Sequence, residues 1–90
     1  MILYSNVYER EGNDSWLKDR IRIINDDFDG FILEHKINYS GWSEPIKETH
    51  IVQLDYDDLK KSQEIVNQYL IDQCLNDEFN INIAKAILEY

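Results

Sequence analysis

Arg20-Ile21-Arg22-Ile23-Ile24-Asn25-Asp26-Asp27-Phe28-Asp29-Gly30-Phe31-Ile32-Leu33-Glu34-His35 is the stretch that decides the fold. Arg20 to Ile23 alternates charged and apolar residues at period two, which predicts a strand near 18–25. Asp26 to Gly30 has the chemistry of a tight connection, because Asp tolerates turn geometry and Gly supplies positive φ without a steric penalty. The alternation then resumes from Phe31 to Tyr39, with Phe31, Leu33, His35, Ile37 and Tyr39 facing one way and Ile32, Glu34, Lys36 and Asn38 the other. The two runs predict an antiparallel hairpin whose odd-numbered face turns to the core.

Upstream, Ile2 to Arg10 is rich in β-branched and aromatic residues and reads as a strand, with Leu3 and Val7 on one face and Ile2, Tyr4 and Tyr8 on the other. Glu11 to Ser15 is a polar break. Downstream, Ser40 to Pro45 is a loop with Gly41 and Pro45, and Ile46 to Leu54 reads as a fourth strand. The period changes at Asp55: Asp55 and Asp58 imitate a capping box, Asp57 falls in a first turn, and Asp57 and Lys61 have i,i+4 spacing. The helix that follows carries the apolar stripe Leu59, Val66, Leu70 and Cys74, flanked by Ile65 and Tyr69. Asn76-Asp77-Glu78 breaks it and is able to cap a second helix bearing Phe79, Ile83, Ala86, Ile87 and Tyr90. Phe79, Ile81 and Ile83 also alternate, so a strand remains the alternative there. The expected fold is α+β: a four-stranded antiparallel meander with two C-terminal helices packed on one face, as a single domain over residues 1–90.

Composition bounds the function. Eighteen Asp and Glu against nine Lys and Arg leave a net charge of −9, and 43% hydrophobic residues with 11 aromatics are too apolar for disorder. No apolar run approaches a membrane span, and the N-terminal residues lack the pattern of a signal peptide, which points to a soluble, cytoplasmic protein. The single Cys74 excludes an internal disulfide. Thirteen Ile, eight Asn and six Tyr suggest a low-GC genome or mobile element, yet there are only six Lys, so drift in base composition does not account for the acidity. A surface of this charge repels nucleic acid and anionic membranes and attracts basic protein surfaces.

No residue pattern specifies chemistry. Asn25, Asp27, Asp29 and Gly30 match the opening positions of a calcium loop, but Lys36 stands where the bidentate Glu belongs and the flanks are strands, so a solvated turn is expected and no metal. His35 and His50 lie on neighbouring strands without a third ligand or nucleophile at any recognisable spacing, and Cys74 reads as a small buried hydrophobe. Without a phosphate-binding Gly loop, nucleophile elbow or dinucleotide fingerprint, neither a catalytic residue nor a cofactor is expected, and a −9 chain without a basic groove suits no phosphodiester.

The acids carry the functional expectation. Asp55, Asp57, Asp58, Asp77 and Glu78 are explained by helix N-termini. Glu9, Glu11, Asp14, Asp26, Asp27, Asp29, Glu34, Glu44 and Glu48 are not, and on a meander they are able to share one edge as an array resembling backbone phosphates. Tyr4, Tyr8, Trp42 and Tyr56 stand at strand ends or loops, where aromatics anchor interfaces, while Trp16, Tyr39 and Tyr69 are expected to pack. These properties fit a small inhibitor that occludes the basic nucleic-acid-binding surface of a nuclease or effector, the class that includes phage anti-CRISPR and anti-defence proteins. An immunity protein or antitoxin that neutralises a cationic toxin needs the same surface. From a different class, a small-ligand-binding or oligomeric regulatory domain is the alternative, with a homodimer formed through an edge strand or the exposed sheet face.

Overall fold

The computed structural model describes residues 1–41 and 45–90. β1 (Ile2–Gly12), β2 (Ser15–Asp26), β3 (Gly30–Ser40) and β4 (Ile46–Gln53) form one antiparallel sheet in chain order, followed by α1 (Leu59–Asp72) and α2 (Ile83–Glu89). The predicted hairpin is β2–β3: Ile21 faces His35, Ile23 faces Leu33, and Asp26 faces Gly30 across a three-residue connection. Gly30 has φ 74, the left-handed conformation that closes such a loop. β2 starts earlier than expected because Asn13 and Asp14 alone close the β1–β2 turn, with Asp14 at φ 60.

Alternation assigns the two faces. On the covered face Leu3, Ile21, Ile23, Phe31, Leu33 and Leu54 meet Val66 and Leu70 of α1, Leu75, Phe79 and Ile81 of the connection, and Ile83 and Ala86 of α2. Burial of this order, about 1.5–3 kcal/mol per large side chain, is the principal stabilising term. Leu3 and Val7 do not share a face: the register slips between Ile2 and Tyr4, so the bulge turns Leu3 inward while Val7 stays 43% exposed. The open face has its own small apolar group, in which Ile24 and Ile32 are buried outside the main core. At the other end the sheet outruns the helices; residues 9–14 are exposed, and the molecule is 44 Å long.

The helices begin later than the sequence predicts. α1 is capped by Asp58, whose side chain accepts from the Lys61 N–H at 3.0 Å. Asp55 caps nothing; its backbone N–H and C=O are both held by the buried Ser62 hydroxyl at 2.8 Å, and the Asp57–Lys61 ion pair is not formed because Asp57 precedes the helix. Cys74 is not a buried hydrophobe. It is exposed at φ 57 just past the C-cap, where Cys74 and Leu75 donate backbone N–H bonds to Ile71 and Leu70 and seat Leu75 in the core. α2 is capped by Asn82 instead of by Asn76-Asp77-Glu78. Between the helices the chain turns over residues 73–78, and beyond that turn Phe79, Ile81 and Ile83 alternate inward without forming a strand. The Gln63 side-chain amide takes the place of a partner strand there, donating to Ile81 C=O and accepting from Ile83 N–H, both at 2.8 Å.

Candidate functional site

The helix-supported end of the sheet carries the most unusual surface. Phe28, at the tip of the β2–β3 turn, is 98% exposed, and its neighbours Asp27 and Asp29 point into solvent beside it. The turn is not loose. Asp26 Oδ1 accepts the backbone N–H groups of Phe28 at 2.9 Å and Asp29 at 2.6 Å, an Asx-turn that fixes the loop. These bonds, the Asp29 N–H foremost, hold the Asp26 carboxyl below the usual aspartate value. Leu54 N–H donates to Phe31 C=O at 2.8 Å, and the Tyr56 and Phe31 rings meet edge to face with centroids 5.3 Å apart. The chain leaving β4 therefore brings Asp55, Asp57, Asp58 and the half-exposed Tyr56 to the same end as Phe28. The arrangement is an apolar anchor framed by carboxylates.

The predicted acids do not form one edge. Glu9, Glu11 and Asp14 lie on or beside the β1–β2 turn, at the opposite end of β2 from Asp26, Asp27 and Asp29. At about 3.3 Å per residue along β2, Glu9, opposite Lys18, stands roughly 26 Å from Asp26, and Asp14 roughly 40 Å from it. Glu34 is not free: its carboxylate binds Arg22 at 2.6 Å and lies 3.9 Å from Arg20. Glu9 pairs with Lys18 at 3.0 Å and Glu48 with His50 at 3.1 Å. Tyr4 and Tyr8 are half-buried against the core, whereas Trp16, expected to pack, is 45% exposed. Trp42 and Glu44 lie outside the described residues. Phe28 is the residue that sequence reasoning missed.

The two histidines face each other across β3 and β4, with ring centroids 5.9 Å apart, but their environments differ. His35 is 1% exposed; its Nε2 donates to Asp19 Oδ1 at 2.8 Å, and its Nδ1 meets the Tyr69 hydroxyl of α1 at 2.6 Å. Asp19, 3% exposed, also accepts from Arg10 Nη2 at 3.1 Å. Burial and the Asp19 charge push the Tyr69 phenol up to about 12, so it stays a neutral hydroxyl able to donate to His35. Asp–His–hydroxyl order resembles a nucleophilic triad, here with the imidazole ring 1% exposed. The chain Arg10–Asp19–His35–Tyr69 is a latch between sheet and helix. His50 is exposed on the edge strand.

The open face of the sheet departs from the expectation that the chain lacks a basic groove. Strand alternation places Lys18, Arg20, Arg22, Lys36 and Lys47 there together, five of the nine cations of the chain. Among the described residues no group of three metal-ligating side chains converges, and no helix is long and apolar enough to cross a membrane. No family model matches the chain, and no curated protein or solved structure matches it.

Proposed function

We propose that the protein is a stoichiometric inhibitor that docks its acidic end on a basic protein surface and blocks nucleic acid from it. The observation that carries this reading is Phe28, a large aromatic 98% exposed on a turn held rigid by Asp26 and flanked by Asp27 and Asp29. Exposed aromatics of this kind enter pockets on a partner, and carboxylates around them select a cationic rim and speed encounter. Asp55, Asp57, Asp58 and Tyr56 extend the same surface. A nuclease or effector of a defence system, whose groove is built to hold phosphates, has the complementary charge; so does a cationic toxin, and either is silenced by occupation of the groove.

The test is capture of partners from host lysate by the tagged chain at about 0.1 M and about 0.5 M salt, followed by assay of the captured protein's nucleic-acid binding. A basic protein retained at the lower salt, displaced from nucleic acid at equimolar inhibitor and released at least 30-fold faster by Phe28→Ala, is the expected result. Retention of the same partner by Phe28→Ala and by an Asp27→Lys, Asp29→Lys double variant overturns the reading, as does the absence of a basic partner at both salt concentrations.

A further inference from the structure

The open face holds a depression of about 470 Å³ lined by Lys18, Arg20, Lys36, Asn38, Lys47 and Thr49 together with Val7 and Glu48. Two cross-strand rows build it: Lys18, Asn38 and Lys47, and beside them Arg20, Lys36 and Thr49. Four cations therefore converge within the width of three strands, about 10 Å. Glu9 pairs with Lys18, and the Glu48 carboxylate, which also lines the depression, meets His50 at 3.1 Å. Lys36 and Lys47 have no carboxylate within ion-pair distance among the described residues. Arg20 Nε is buried and finds no acceptor among them, an uncommon state for a guanidinium donor. Converging cations, two neutral side chains able to donate, and an orphaned N–H beside them are the donor set of an anion site.

We propose that this depression binds a compact multivalent oxyanion, the chemistry of a diphosphate group, through Arg20, Lys36 and Lys47, with Thr49 and Asn38 as neutral donors. Compactness follows from the charge map. The cationic zone is two rows deep, bounded by the Glu34–Arg22 pair on one side and the Glu9–Lys18 pair on the other, so it accommodates one or two phosphates and no longer track. A chain of net charge −9 repels an extended polyanion that runs beyond this zone, whereas a small anion stays inside it. The site lies on the open face of the sheet, whereas Phe28 stands at the turn, so the two sites are separately testable.

Calorimetric titration of the full chain at about 0.1 M salt with inorganic pyrophosphate, and separately with ADP, tests the proposal, with amide chemical-shift mapping in parallel. Saturable binding below about 1 mM, with shifts centred on Lys36, Thr49 and Lys47, is expected. Equal affinity for both ligands assigns the site to the diphosphate itself and tighter ADP binding assigns it to a nucleotide; either supports the proposal. Lys36→Gln and Lys47→Gln should each weaken binding roughly tenfold, while Lys60→Gln on α1 leaves it unchanged. Unchanged unfolding midpoints show that the variants remain folded. No saturation by about 10 mM, shifts centred elsewhere, or indifference to both lysine changes overturns the proposal. Tighter binding of a ten-nucleotide oligothymidylate than of pyrophosphate also overturns it, in favour of a strand-tracking surface.

Discussion

His35 and Lys36 are adjacent in β3 and face opposite ways, and between them they contrast the two sides of the sheet. On the covered side a charged residue is admitted only inside a closed chain of partners: Arg10 to Asp19, Asp19 to His35, His35 to Tyr69. On the open side Lys36 and Lys47 stand without such partners among the described residues, because water solvates them. The same residue class is thus structural on one face and available for recognition on the other, and what separates the two is a one-residue step along a strand. Burial decides the energetics: an ionic network beneath α1 loses several kcal/mol if one partner is removed, whereas a solvated lysine loses almost nothing.

The sharpest way to break the contrast is Asp19→Ala, which strands the buried His35 and leaves the exposed Arg10 without its partner. A loss of roughly 3–5 kcal/mol is expected by urea denaturation, with no compensating change in the mutant's sheet content by circular dichroism. Tyr69→Phe removes one hydroxyl from the same chain and should cost about 1–1.5 kcal/mol at neutral pH. It also tests the linkage. The phenol is raised from 10.0 to about 12 in the folded chain, so its contribution is fully present below pH 10 and lost as pH rises towards about 12. The wild-type unfolding midpoint should therefore fall more steeply than that of Tyr69→Phe over this window. Cys74→Gly should act in the opposite direction, stabilising by roughly 0.5–1 kcal/mol in thermal melts, because glycine adopts the left-handed conformation at the α1 terminus without the Cβ clash. Smallest of all, Lys36→Gln on the open face should move stability by no more than about 0.5 kcal/mol. A large loss from Lys36→Gln, or a silent Asp19→Ala, would erase the distinction between the faces.

Much of the fold was legible because strand signals here are local. Asp26 through Gly30 between two alternating runs specifies a hairpin, and the same logic extended outward yields the meander and the helices after it. The misplacements are where a local pattern met a tertiary requirement. Leu3 departs from its alternation because a bulge turns it into the core. Asp55 resembles a cap but is bound by Ser62, and Asp58 serves instead. Residues 79–82 have alternation without a strand because Gln63 satisfies that backbone from α1. The candidate site was half legible: Asp26, Asp27, Asp29 and Tyr56, named from sequence, share one end of the sheet, whereas Glu9, Glu11 and Asp14 lie at the other end and Glu34 and Glu48 contact Arg22 and His50. Phe28 escaped notice since an aromatic within a turn carries no sequence mark of exposure.

Sequence by itself determined the element order, the antiparallel pairing and which residues alternate together, since these depend on side-chain period and turn chemistry over a few residues. The odd-numbered face of β3 was legible as the core side, and tertiary structure alone decided which partners each side chain meets on either face. Only the packed chain joins Asp19, His35 and Tyr69 in a buried latch, gathers Arg20 and Lys36 on the open face, and brings Asp55 to Asp58 to the same end of the sheet as Phe28. The reason is that charge and apolarity are properties of a residue, but burial and proximity belong to the packed chain, where strands distant in sequence supply each side chain's dielectric and its partners.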